Sequence, residues 1–221
     1  MRTEQYCISK IKEQGILPLF YHDDAEVCVA IVKALHAAGI KVIEFTNRGT
    51  HALENFKMLV QERDKNMPDL LLGIGTIKTA GDASEFIDAG ADLLISPIFD
   101  SGVCDVAYMQ KVLWIPGCMT PSEIHTAASA GCTMIKLFPG NVLSTSFLEA
   151  VKPLFAGLDF VITGGVEVNE ENIHAWFKSG VCAVGLGSKL IGKNVMEQKN
   201  YAAVESLAKR ALQIVGAVKN A

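Results

Sequence analysis

Residues 23–46 read DDAEVCVAIVKALHAAGIKVIEFT, and this stretch decides the fold. Asp23-Asp24 offer an acidic start, Ala25 to Ala38 carry an apolar helical period, Gly39 supplies a stop, and Val42-Ile43-Glu44-Phe45 is a short β-rich run. A helix, a glycine and a strand joined this closely imply parallel strands linked by helical crossovers. The same grammar recurs at Thr79 to Ala89 before Gly90 and at Pro121 to Ala130 before Gly131. Working outward, eight apolar runs can be counted: Ile16–Phe20, Val42–Phe45, Leu70–Ile74, Leu93–Ser96, Val112–Ile115, Met134–Phe138, Phe160–Thr163 and Ala183–Leu186. Eight such units predict an α/β chain folded as a (β/α)8 barrel. An open doubly wound sheet shares the alternation and is the structural rival. No linker divides the chain, and Lys65 to Pro68 reads as a polar turn, so residues 1–221 are expected to form a single barrel domain. Arg2 to Glu13 is expected to lie as a helix across the barrel's bottom, and Lys199 to Val218 to pack as a helix on its exterior.

Composition excludes several classes of function. Of 221 residues, 50% are hydrophobic and 20% charged, so a large core is available and disorder is not expected. Twenty Lys+Arg against 24 Asp+Glu give net charge −4, without the basic face of a nucleic-acid partner. The six cysteines, at 7, 28, 104, 118, 132 and 182, form no C-x-x-C pair and read as reduced thiols of a cytoplasmic protein. The start of the chain is charged and amphipathic, and no window approaches ~18 continuous apolar residues, so no membrane partner is expected.

Two ionisable residues interrupt strands that otherwise read as buried, where an unpaired charge costs several kcal/mol. In Met134-Ile135-Lys136-Leu137-Phe138, alternation puts Lys136 on the face opposite Ile135 and Leu137. If helices cover those two, the lysine points into the barrel. Desolvation disfavours an ammonium, and a neutral amine is a nucleophile able to form a Schiff base with a carbonyl substrate. A strand-end lysine that reaches solvent or pairs with a structural carboxylate is the alternative. Glu44, in Val42-Ile43-Glu44-Phe45-Thr46, falls at a strand's C-terminal end and would converge with Lys136 at the barrel mouth, as general acid/base or simply as its ion pair. Arg48, just past the same strand, has the guanidinium fork suited to a substrate carboxylate, unless it is a solvated loop residue. Thr76 presents a hydroxyl after Gly73-Ile74-Gly75, or caps a helix.

The last two predicted strands end in Thr163-Gly164-Gly165 and in Gly185-Leu186-Gly187-Ser188, each followed by an expected helix start. Barrels bind phosphate at these ends, through backbone N–H groups and a helix N-terminus, so Gly164, Gly165, Gly187 and Ser188 are candidate phosphate ligands. Gly187 to Asn194 has P-loop spacing, but Asn194 stands where a Ser or Thr is needed; Gly73-Ile74-Gly75 lacks the third glycine of a dinucleotide fingerprint. The five histidines show no metal-ligand spacing, and no metal or cofactor is implied.

Taken with Gly39 to Arg48, Gly73-Ile74-Gly75-Thr76, Ile95-Ser96-Pro97, Pro116 to Pro121, Ile135 to Pro139, Thr163-Gly164-Gly165 and Gly187-Ser188, the chain resembles the 2-keto-3-deoxy-6-phosphogluconate (KDPG) aldolases, a family that includes 4-hydroxy-2-oxoglutarate (KHG) and 6-phosphogalactonate aldolase activities. The resemblance implies a metal-free class I aldolase on a (β/α)8 barrel, usually a homotrimer. Such an enzyme cleaves a phosphorylated 2-keto-3-deoxy acid to pyruvate and glyceraldehyde 3-phosphate. It would make Lys136 the Schiff-base lysine and Glu44 the general acid/base. Arg48, Thr76 and Thr163 would hold the pyruvyl end, Pro97 and Phe138 would pack around it, and Gly164, Gly165, Gly187 and Ser188 would bind phosphate. The chain departs from the family's pattern at Asn47, at Gly49, which leaves the backbone of Arg48 looser, and at Gly140-Asn141; these bear on substrate preference. A sugar-phosphate isomerase or epimerase, and a barrel that only binds a phosphorylated metabolite, are the competing functions.

Overall fold

The computed structural model describes residues 2–220. Residues 23–46 form the unit their sequence spells out. Helix α2 (Ala25–Ala37) starts at Asp24, whose side chain accepts from the backbone N–H groups of Glu26 and Val27. Gly39 then turns the chain at φ 100°, a left-handed value that a side chain disfavours, into β2 (Val42–Thr46). The other strands are β1 (Ile16–Phe20), β3 (Leu71–Gly75), β4 (Leu93–Ile95), β5 (Leu113–Ile115), β6 (Gly117–Cys118), β7 (Met134–Leu137), β8 (Asp159–Thr163) and β9 (Ala183–Leu186). The other helices are α1 (Glu4–Gln14), α3 (Ala52–Asn66), α4 (Ala80–Asp88), α5 (Ser101–Gln110), α6 (Pro121–Ser129), α7 (Thr145–Val151), α8 (Glu170–Ser179), the short α9 (Lys193–Glu197) and α10 (Tyr201–Lys219). The polar stretch read as a turn from Lys65 begins later, since α3 runs through Asn66.

Every strand pairing is parallel, and the strands follow the order β5-β4-β3-β2-β1-β9-β8-β7-β6. A doubly wound sheet would reverse direction in mid-sheet; this order runs round a circle and is that of a barrel. Its ends are β5 and β6, which are separated by a single residue, Pro116. The fifth predicted strand is found as β5, and a two-residue strand that the sequence reading did not include, β6, follows it. Leu113–Ile115 pairs with β4 and Gly117–Cys118 pairs with β7, so one stretch of chain spans the closure. Proline has no N–H for a ladder, which favours the break here, while the Pro116 carbonyl still accepts from the Lys136 N–H at 2.9 Å.

Alternation sorts the strand residues into two buried layers. Ile43, Phe45, Ile74, Leu94, Ile135, Leu137, Ile162 and Val184 face outward and share one core with the surrounding helices. Leu17, Val42, Leu71, Leu93, Leu113, Met134, Val161 and Ala183 face inward and form a second core with Cys7, Ile8 and Ile11 of α1. Helix α1 thus closes the barrel's bottom, and each aliphatic side chain so buried contributes about 1.5–3 kcal/mol. On the outside, α10 packs against α2 and α8 and buries Val204, Ala208, Ala211, Ile214 and Val215. Among the described residues no helix is long and apolar enough to cross a membrane.

Candidate active site

Because Ile135 and Leu137 lie in the outer core, Lys136 points inward; because Ile43 and Phe45 do, so does Glu44. The two side chains meet inside the barrel, with Lys136 Nζ 3.5 Å from Glu44 Oε1, and the residues are only 5% and 1% exposed. The Phe138 ring lies beside the amine, its centroid 5.4 Å from Nζ. Among the described residues two buried side-chain oxygens have no hydrogen-bond partner, Glu44 Oε2 and Thr163 Oγ1. A native core seldom leaves such atoms unpaired, since each costs about 1–3 kcal/mol. Here both lie on the inner face, Glu44 midway along β2 and Thr163 at the C-terminal end of β8, where a polar small molecule or water would satisfy them.

Glycines on neighbouring strands make room for these groups. A Cβ on Gly75 would fall 1.9 Å from Glu44 Oε1, and one on Gly185 would fall 2.3 Å from Thr163 Oγ1. Neither glycine was marked in the sequence for this role. The only available signal was that they occupy inward positions in strands otherwise filled by large apolar residues.

The remaining candidates rim this centre. Thr76 follows β3 at φ 64°, an unusual conformation for a β-branched residue. The ladder holds it on both sides, through Asn47 N–H to Gly75 O at 2.8 Å and Ile77 N–H to Ile95 O at 3.2 Å. It caps no helix; Thr79 caps α4 instead. Pro97 is half-buried, and its backbone passes so close to β6 that a Cβ on Gly117 would lie 2.3 Å from it. Arg48 is exposed in the loop after β2, and its guanidinium makes no hydrogen bond or ion pair among the described residues. Gly49 beside it is not open space, since the Tyr21 ring occupies the place of a side chain.

Gly164 and Gly165 turn the chain after β8 with φ 103° and 73°. The departures at Gly140 and Asn141 pack against them: the Gly140 N–H donates to Thr163 O at 2.7 Å, a Cβ on Gly140 would lie 2.5 Å from Gly164 O, and one on Gly165 would lie 2.8 Å from Asn141 Cβ. After β9, Gly187 O accepts from Leu190 and Ile191, so Gly187 and Ser188 begin a tight turn. A helix follows each glycine cluster after a short turn, α8 from Glu170 and the short α9 from Lys193. The positive φ of Gly164 and Gly165 makes that pair a turn ahead of α8 and not its first residues. An ion pair not foreseen in the sequence, Lys189 to Glu167 at 2.7 Å, ties the two loops together. The P-loop spacing encloses no cradle: Lys193 opens the short α9 and pairs with Glu197 at 3.6 Å. A cleft of about 930 Å³ between α8 and α10 lies on the outer wall, apart from all these groups.

A buried amine facing a buried carboxylate, beneath a rim of backbone donors, is suited to imine chemistry on an anionic substrate. The family model described as KDPG and KHG aldolase matches residues 7–207. The chain belongs to the KDPG and KHG aldolase family. It is an aldolase of the Schiff-base kind. A 2-dehydro-3-deoxy-phosphogluconate aldolase of Dickeya dadantii is 30% identical over 198 residues, which cover 89% of this chain and 90% of the relative. Among solved structures, the KDPG aldolase of Legionella pneumophila, with pyruvate captured at low pH as a covalent carbinolamine intermediate, is 25% identical, with TM-score 0.84 over 92% of this chain and 96% of that one. The 2-keto-3-deoxy-6-phosphogluconate aldolase of Zymomonas mobilis with 3-phosphoglycerate is also 25% identical, with TM-score 0.82 over 95% and 96%.

Proposed function

We infer that this aldolase cleaves 2-dehydro-3-deoxy-6-phosphogluconate, or a close 2-keto-3-deoxy acid, to pyruvate and glyceraldehyde 3-phosphate. The observation that carries this reading is the buried pair, Lys136 Nζ and Glu44 Oε1 at 3.5 Å with Glu44 Oε2 left unpartnered. The neutral Lys136 amine adds to the C2 carbonyl, and the carbinolamine loses water to give an imine. The C3–C4 bond then breaks, its electron pair moving into the protonated imine to form an enamine. Glu44, directly or through a water, takes the proton from the C4 hydroxyl as the aldehyde forms and returns one to C3 of the enamine. Hydrolysis of the resulting imine releases pyruvate and restores the amine.

Arg48, Thr76 and the unpartnered Thr163 hydroxyl bind the pyruvyl carboxylate and ketone end, with Pro97 and Phe138 packed around it. The Gly164-Gly165 turn and the Gly187-Ser188 turn offer backbone donors to the phosphate. The carbinolamine in the Legionella relative and the 3-phosphoglycerate in the Zymomonas relative support the two halves of this assignment. Family likeness also carries a cytoplasmic homotrimer, which light scattering on the purified protein and cell fractionation test.

The chemical test is borohydride reduction in the presence of pyruvate, followed by peptide mass spectrometry. A reduced pyruvate adduct on Lys136 is expected, absent in Lys136→Ala along with all cleavage. Glu44→Gln should keep the adduct and slow turnover by ~10²–10⁴-fold. A folded enzyme that turns over sugar phosphate without any adduct would instead be an isomerase or epimerase. Ligand-induced stabilisation without turnover would mark a binding barrel.

A further inference from the structure

Two loops at the barrel mouth are stitched together by side chains to which the reaction assigns no role. Tyr21 follows β1 directly, and its ring packs on Phe45 of β2 with centroids 5.6 Å apart. Its hydroxyl donates to Asp23 Oδ1 in the same loop. That hydroxyl also lies 2.1 Å from where a Cβ on Gly49 would be, and the ring carbon bearing it lies 2.4 Å away. The loop after β2 can take its path only because residue 49 is glycine and residue 21 fills the space. Asn55 of α3 adds a second stitch: 4% exposed, it donates its amide hydrogens to His22 O at 3.0 Å and Asp23 O at 2.9 Å. A third runs from Thr46 Oγ1 to Phe20 O at 3.3 Å.

Arg48 sits between these anchors. Behind it, Asn47 is bound to Gly75, and the Arg48 N–H closes a tight turn onto Thr46 O at 2.9 Å. Ahead of it, α3 starts at Ala52 without any side-chain cap, and residues 49–51 are closed into a turn by the backbone bond from Ala52 N–H to Gly49 O at 3.1 Å. The contact with Tyr21 supplies what the helix start lacks.

We propose that Tyr21 is a positioning residue that, by filling the space over Gly49, holds the Arg48 loop where the guanidinium meets the substrate carboxylate. The proposal rests on the carboxylate-binding role assigned to Arg48 above. Tyr21→Phe keeps the ring on Phe45 and removes the tie to Asp23. It should raise the KM for the keto acid by about five- to ten-fold with kcat within about two-fold, because lost ground-state binding appears in KM. In an Arg48→Ala background the same change should add nothing, since both substitutions remove one interaction. Gly49→Ala, which drives a Cβ into the hydroxyl from the other side, should reproduce the KM effect and serves if Tyr21→Phe folds poorly. Pyruvate trapping on Lys136 is measured alongside. Unchanged KM in both Tyr21→Phe and Gly49→Ala, additivity with Arg48→Ala, or an Arg48→Ala enzyme of normal KM overturns the positioning role while leaving the imine chemistry intact. Failure of the unsubstituted protein to trap pyruvate overturns the aldolase assignment and this role with it.

Discussion

Gly75→Ala is the substitution whose effect can be worked out most directly from the structure. The new methyl would lie 1.9 Å from Glu44 Oε1, 2.6 Å from its Cδ and 2.8 Å from its Cγ. Ordinary contact begins near 3.4 Å, so the oxygen must withdraw by about 1.5 Å. That oxygen is the one facing the Lys136 amine at 3.5 Å, and the carboxylate cannot retreat into solvent because the residue is 1% exposed. Misplacement of a reacting group by roughly 1 Å can slow a reaction by ~10²-fold, equivalent to about 2.7 kcal/mol of barrier. The crowding itself costs about 1–3 kcal/mol of stability, which lowers the melting temperature by roughly 2–4 °C for each kcal/mol in a chain of this size. Turnover is read as pyruvate released from the phosphorylated keto acid by a coupled lactate dehydrogenase assay, and folding by thermal melt. The expected enzyme is folded, traps pyruvate on Lys136, and cleaves ~10²-fold more slowly. Combined with Glu44→Gln it should be hardly slower than Glu44→Gln alone, because both act through one carboxylate. Wild-type kcat in a natively folded Gly75→Ala protein would refute the argument, since the methyl cannot be accommodated without moving the carboxylate.

Two further outcomes follow from the same contacts. Burial is the main cause that pushes the thiols of Cys7, Cys28, Cys118, Cys132 and Cys182 up to about 12, and burial followed by the Asp105 carboxylate raises half-buried Cys104. A raised thiol pKa means little thiolate near pH 8, so a disulfide reagent should label the native protein slowly, Cys104 first, and all six cysteines rapidly once denatured. Fast labelling of Cys182 in the native state would contradict that packing. Gly165→Ala forces a side chain onto φ 73° and 2.8 Å from Asn141 Cβ. It should raise KM for the phosphorylated substrate by ~10-fold while pyruvate trapping on Lys136 is unchanged, and equal damage to both would remove this turn from the phosphate site.

The barrel was legible because its signals are local. Asp24 caps α2 and Gly39 ends its turn within a few residues of the β2 they introduce, so a short window holds the whole unit. The extra strand β6 was not legible. A two-residue strand such as Gly117–Cys118 has no pattern of its own, and only its pairing with β7 defines it. The candidate pair at Lys136 and Glu44 stood out for the opposite reason, as charges set against apolar strands. What supports them was invisible, because the need for glycine at 75, 185 or 49 is set by an atom that belongs to a different strand or loop: Glu44 Oε1, Thr163 Oγ1 and the Tyr21 hydroxyl. Spacing in one segment cannot encode such a demand. The turn at Gly164-Gly165 was hidden for a related reason, since only the positive φ values of the pair separate it from the helix that follows.

Along the inner face the chemistry changes within one pleat. Val42 gives way to Glu44, Met134 to Lys136, Val161 to Thr163 and Ala183 to Gly185, each two residues further along its strand. The first member of every pair belongs to the apolar core that Cys7, Ile8 and Ile11 close from below. The second members are the buried charges, the unpartnered hydroxyl and the glycine that makes room for it. The lower layer therefore bears the stability that lets the upper one keep two unpaired oxygens and a loosely bonded ion pair, an arrangement a core built for stability alone would not retain. This division separates the effects of mutation by layer. Truncating Met134 or Val161 should lower the melting point while leaving the kcat of the folded fraction near wild type, whereas changes at Gly75, Thr163 or Gly185 should reach turnover first.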